Sequence, residues 1–143
     1  MIAVAMPVRI VRLGSARGRG EGLRIGTVRH PPRGVPKDQH AAQNWYDVWL
    51  PELAPSSQLV KFAQAADSPR QWATFVKRYR AEMAAPEKLH LLRLLASMSR
   101  TSNFSVGCYC ADETHCHRSV LRALLKENGG TLASPSRQAP CLK

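Results

Sequence analysis

Cysteine is sparse, with 4 in 143 residues, too few for a disulfide-stapled scaffold. No apolar run approaches the roughly 18 residues of a membrane span. The opening MIAVAMPVRIVRLG lacks a basic start and is cut by Pro7 and Arg9, so it does not read as a secretory leader. These absences predict a cytoplasmic protein with free thiols and no membrane partner. Internal repeats are missing too. With 44% hydrophobic and 22% charged residues, the composition excludes a disordered or fibrous chain. The length predicts one domain over 1–130. A flexible tail is expected over 131–143, where TLASPSRQAPCLK has two prolines and no periodicity.

Acidic residues are also short: 10 Asp and Glu face 21 Lys and Arg, for a formal net charge of +11. The excess gathers at the front as Arg9, Arg12, Arg17, Arg19, Arg24, Arg29, Arg33 and Lys37, against Glu21 and Asp38. Arginine forms bidentate contacts with phosphate and carboxylate. The front therefore reads either as an attractor of nucleic acid or phosphorylated metabolites, or as a solvated basic face.

Alternating apolar residues predict strands over Met6–Leu13 and Leu23–His30, joined by the loop GSARGRGEG, read as a flexible hairpin connection. That loop is neither a dinucleotide fingerprint nor a P-loop, since a strand follows it. NWYDVWLPELAPS is aromatic and β-branched, and holds at most a very short strand. Helical spacing predicts a helix over Ser56–Ala66. A second starts at Pro69, with Ser68 as its cap and Gln71 at the capping-box position. Its stripe is Trp72, Phe75, Val76, Tyr79 and Met83. A third begins at Pro86, with Leu91, Leu92, Leu95 and Met98 facing the core. A strand over Ser105–Cys110, the loop ADETH and a helix over Cys116–Asn128 close the domain, stopped by Gly129 and Gly130. Interleaved strands and helices predict an α/β fold: a small sheet with helices packed on its faces.

The strand-loop-helix turn concentrates chemistry. Cys110, Asp112, Glu113, His115, Cys116, His117 and Arg118 fall within nine residues. Ligands of open α/β sheets bind beyond the carboxyl ends of the strands, and a helix start is an anion site. Cys116 in that first turn is expected to have a lowered pKa. Cys116, His117 and Cys110 are therefore the candidate catalytic residues, with His117 moving a proton near neutral pH. Arg118 is the candidate anion clamp. Arg29 and Arg33, stiffened by Pro31 and Pro32, are expected to point into the same crevice, and Asp47 to anchor one of these arginines or to make a structural ion pair.

A phosphatase-type loop fails on spacing. A Cys110–Cys116 disulfide fits across the loop. Cys108 and Cys110 are read as leaving opposite faces of the strand and so as not sharing a metal, and Cys108 as a plain buried residue. Cys110, Cys116 and His117 are the set that can converge on a metal, with His115 or water as a fourth ligand, but no C-x-x-C pair supports it, and no metal and no cofactor are assigned.

RIGTVRHPPRGVPK, YDVWLPELAPS, WATFVKRYRAEM and CYCADETHCHRSVL together resemble the DUF 488 family, in its YeaO-like branch. The resemblance spans about residues 6–128. It rests most on an apolar strand ending in Cys110, a short acidic loop and Cys116-His117-Arg118. It also includes Arg33 and Gly34, Trp49, Glu52, Pro55 and Ser56, and Phe75, Tyr79, Glu82 and Met83. The resemblance implies an α/β domain without implying a reaction. The function expected is a small anion-binding protein, for a phosphate or carboxylate ligand, with a reactive-thiol Cys-His-Arg site. A nucleic-acid module built on the arginine-rich front and a metal-binding or structural domain are the alternatives.

Overall fold

The structure, a computed structural model, describes residues 7–110 and 116–133. Four short strands make one parallel sheet: β1 (Arg9–Arg12), β2 (Leu23–Gly26), β3 (Val48–Trp49) and β4 (Phe104–Cys108), in the order β1-β4-β2-β3. Four helices accompany them: α1 (Ser57–Ala65), α2 (Pro69–Met83), α3 (Pro86–Met98) and α4 (His117–Glu127). This is the α/β architecture predicted from the interleaving.

β4 lies at the centre and all five of its residues are buried, as expected for a parallel strand covered on both faces. Ile10 and Ile25 both stand level with Val106. With Phe104 they form one apolar face, because side chains alternate along a strand. The helices supply Leu59, Phe75, Tyr79, Met83, Leu92, Leu95, Leu121 and Leu125 to the same core. The helix starts are built as the sequence indicates. Ser56 Oγ accepts from the Leu59 amide at 3.3 Å, and Ser68 Oγ from that of Gln71 at 3.2 Å. Gln71 Oε1 takes the Asp67 amide, one residue before the cap.

The loop from Gly14 to Gly22 is not a hairpin connection. β1 and β2 are not neighbours, since β4 runs between them and parallel to both. The chain must therefore return along the sheet before β2 can start. Arg24, fully buried, ties this return down. Its guanidinium donates to Glu21 at 2.8 and 3.0 Å, to Ser15 O at 2.8 Å and to Asn44 O at 2.7 Å. Ser105 Oγ on β4 donates to the same Glu21 carboxylate at 2.8 Å. Gly22 hands the loop to β2 at φ 77°, where a Cβ would run into the Asn103 carbonyl.

Two strands stop earlier than the alternation suggests. β2 ends at Gly26, level with Gly107 near the end of β4, and the chain then leaves the sheet. β4 ends at Cys108, paired with the last residue of β1. At the other terminus, Leu132 bridges to Val8. The Val8 amide donates to Thr131 O and that of Ala133 to Val8 O. The rest of the expected tail, 134–143, lies outside the described residues.

Candidate functional site

All four strands point the same way, so their carboxyl ends open on one edge of the sheet, where ligands of α/β folds bind. A cavity of about 880 Å³ lies there. Leu13, Val28, Pro31, Pro32 and Pro55 line it with the aromatic rings of Trp45, Trp72, Phe75 and Tyr109. Its basic lining comes from Arg12, Arg29, His30 and Arg33, and its sulfur from Cys108, Cys110 and Cys116, beside His117. The cavity is thus apolar, aromatic and cationic at once.

The segment 53–56 that helps to wall it is clamped from three sides. Tyr79 Oη donates to Leu53 O at 2.6 Å. Arg29 donates to Ala54 O and Pro55 O, both at 3.0 Å. Glu82 accepts from the Ser56 amide at 2.9 Å and from its hydroxyl at 2.6 Å. Trp72, Phe75 and Tyr79 form a stacked column along α2, with ring centroids 4.8 and 6.0 Å apart. Tyr79 then meets His117 edge-on at 5.6 Å. Tyr79, Glu82 and Ser56 therefore hold the wall in place.

The sulfur cluster is tighter than the sequence reading allowed. Cys108 and Cys116 are buried with their sulfurs 2.7 Å apart, and Cys110 is exposed. The sulfurs of all three lie within 4.8 Å of one another. The expectation that Cys108 and Cys110 leave opposite faces is overturned. Period-two alternation puts residues i and i+2 on the same side, and the Cys110 amide folds back to donate to Cys108 Sγ at 3.4 Å. Cys108 is accordingly part of the cluster. The C-x-C spacing in VGCYC was the signal for it.

The thiols divide their acidity unequally. Burial pushes the Cys116 thiol up to about 11, against the lowering expected at a helix start, and neighbouring Cys110 adds to the rise. Hydrogen bonds from Cys108 and Cys116 pull Cys110 well below the ordinary thiol value. Burial opposes this, while the charge of Arg118, and that of His117 when it is protonated, assists it. The negative charge of the cluster thus settles on the exposed sulfur.

His117 is held differently from a free imidazole. Its Nε2 lies 2.7 Å from the Thr27 carbonyl, which can only accept, so Nε2 carries the hydrogen and Nδ1 is bare. Nδ1 sits 3.7 Å from Cys116 Sγ. Burial lowers the ring to about 4, although the Thr27 hydrogen bond and Cys110 act in the other direction. The neutral form therefore prevails around pH 7, and the expected titration near neutrality is displaced downward. Arg118 is buried and donates through Nη2 to Cys110 O at 2.5 Å. It fixes the backbone of Cys110 and does not line the cavity.

Of the remaining candidates, Arg29 and Arg33 both line the cavity. Arg33 is exposed and makes no hydrogen bond or ion pair among the described residues. Asp47 is elsewhere. Its carboxylate pairs with Arg17 at 2.8 and 3.0 Å and accepts the Arg24 amide at 2.8 Å. Burial favours its neutral form, but those bonds and charges hold it below its ordinary value. It is the structural ion pair of the two roles considered, and its partner is Arg17. Arg12, Trp45, Trp72, Phe75 and Tyr109 are lining residues that sequence reasoning missed, because a fold brings them together from four separate segments. Asp112, Glu113 and His115 lie outside the described residues.

No curated protein and no solved structure matches the chain. The family model DUF488-N3a, described as the active DUF488-N3 subclade, matches residues 8–129. That span takes in the whole sheet, all four helices, the arginine-lined cavity and the three clustered cysteines, and on it the chain belongs to the DUF488 family.

Proposed function

We propose that the protein binds a small organic anion with a flat apolar body in the cavity at the carboxyl edge of the sheet, and that the Cys110 sulfur is the group that meets it. The observation that carries this reading is the joint presence of an exposed sulfur and an uncommitted guanidinium, Arg33, on the lining of one aromatic cavity. Aromatic walls favour a planar body. Arginine favours a phosphate or carboxylate. Arg29 and Arg12 add positive potential, although both already donate to main-chain carbonyls of Ala54, Pro55 and Tyr109. In this reading His117 and Arg118 are positioning residues: each grips a backbone carbonyl and so sets the sulfurs in place.

The front of the chain supports the same choice over a nucleic-acid module. Arg9, Arg12, Arg17, Arg24 and Arg29 all bond to their own chain, which leaves few guanidinium groups to track a phosphate backbone.

Anilinonaphthalene sulfonate, a flat aromatic anion, is a suitable probe. The expected result is saturable fluorescence enhancement, weakened about tenfold by Arg33→Ala and by Trp72→Ala. Occupied dye should also slow alkylation of Cys110 by iodoacetamide, followed by peptide mass spectrometry. Dye binding that neither variant alters, with unchanged alkylation, overturns the reading.

A further inference from the structure

We propose that Cys108, Cys110 and Cys116 form a site for a thiophilic divalent cation of the zinc class, with its fourth coordination position opening onto the cavity. The proposal goes beyond the anion-binding reading and does not depend on it. Its first support is geometric. Three sulfurs mutually within 4.8 Å approach the arrangement around zinc, where Zn–S bonds of about 2.3 Å place tetrahedral sulfurs roughly 3.8 Å apart. The pair Cys108–Cys116, now at 2.7 Å, has only to open by about 1 Å.

The surroundings are those of a ligand set. The Cys110 amide donates to Cys108 Sγ at 3.4 Å, and such main-chain bonds orient coordinating sulfurs. The ligands come from the end of β4, the residue two beyond it and the cap of α4. Arg118 grips the Cys110 carbonyl at 2.5 Å and so holds the one exposed ligand against the two buried ones. Charge also balances. Three thiolates and one divalent cation carry a net −1, and the buried Arg118 guanidinium offsets it. His117 Nδ1 lies 3.7 Å from Cys116 Sγ but outside the circle shared by the three sulfurs, so it stands beside the ligand set.

All three cysteines line the cavity, which is why the remaining position faces it. Three protein ligands with an open fourth is the pattern of zinc sites that receive a further ligand. An all-sulfur set selects zinc-like cations over magnesium or calcium. On binding, the sulfurs that still carry protons release them to solvent, and three sulfur–metal bonds form with no change of oxidation state.

The test uses the full chain, without an affinity tag, reduced and purified free of chelators. Elemental analysis is expected to find close to one zinc per chain. Co²⁺ added anaerobically to the metal-free protein should give a near-ultraviolet sulfur-to-cobalt band that zinc abolishes. Cys110→Ser, at the exposed position, should weaken Co²⁺ binding at least tenfold while the far-ultraviolet circular dichroism is kept. Cys108→Ser and Cys116→Ser should do the same, and Cys141→Ser should change nothing. Absence of the band overturns the site, as does a band of undiminished strength in Cys110→Ser or an equal loss in Cys141→Ser. So does a two-hydrogen mass loss that marks a Cys108–Cys116 disulfide in the reduced preparation. Dye binding by metal-free protein reports on the anion reading separately, so either proposal can fail without the other.

Discussion

Arg24 and Arg33 are the same side chain in opposite circumstances. Arg24 is fully buried, and its donors go to Glu21, Ser15, Ala16 and Asn44. Arg33 is exposed on the lining of the cavity, with no bond among the described residues. One member of the basic front is thus an internal tie that shapes the return from β1 to β2, and another is free to meet a ligand. The lesson is that a cluster of positive charge in a sequence need not be a positive surface. Burying a guanidinium is costly unless it is paired and its donors are satisfied, so each buried arginine here comes with its own acceptors.

The sharpest way to break this contrast is Glu21→Ala. It leaves the Arg24 charge buried beside carbonyls alone, and should destabilise the fold by about 3–5 kcal/mol in urea denaturation. The double variant Glu21→Met with Arg24→Met should recover most of that loss. A cost below about 1 kcal/mol for the single variant would mean that the network does not hold the loop.

Acid offers a related test. Burial acts to raise the Glu21 carboxyl, but hydrogen bonds from Arg24, the Gly18 amide and Ser105 outweigh it, and the folded value lies below the ordinary 4.5. Asp47 is likewise held below 3.8. A carboxyl depressed by folding stabilises the protein fully above its unfolded value. The contribution is lost as pH falls through the lower, folded one. Stability should therefore hold down to about pH 5 and then fall steeply, and Asp47→Asn should flatten part of that slope. A stability curve flat between pH 5 and 3 contradicts both assignments.

Arg29 is intermediate between the two extremes. It lines the cavity, yet its donors hold Ala54 O and Pro55 O. Arg29→Met should cost about 1.5–3 kcal/mol and also loosen the dye, because the wall at Pro55 moves. Arg33→Ala should leave stability within about 0.5 kcal/mol while reducing dye affinity. Finding the stability loss at Arg33 and none at Arg29 would invert the comparison.

Much of the chain was readable before folding. The helix at Pro69 announces itself through Ser68 and the stripe Phe75, Tyr79 and Met83, all three of which are buried. The turn between Cys110 and Arg118 stood out as a candidate because sulfur, imidazole and guanidinium residues crowd into a few positions, and the structure brings Cys110 and Cys116 of that turn together with Cys108. Other features were missed for identifiable reasons. Cys108 was set aside because the alternation was applied with the wrong phase, although the C-x-C spacing places both sulfurs on one side. The low pKa was assigned to Cys116 because the helix start was weighed and burial was not. Asp47 was placed near the site on its aromatic neighbours, whereas its partner Arg17 comes from a loop thirty positions away.

Local chemistry along the chain determined where helices start and stop, which faces are apolar, and that thiol, imidazole and guanidinium groups would meet at one helix start. Those properties depend on neighbours a few residues apart. The strand order β1-β4-β2-β3, the burial of Arg24, the closeness of the three sulfurs and the cavity walls drawn from distant segments were decided by tertiary structure. Each requires groups far apart in sequence to share one desolvated space, and pattern along the chain does not encode which distant partner will neutralise a buried charge or crowd a buried thiol.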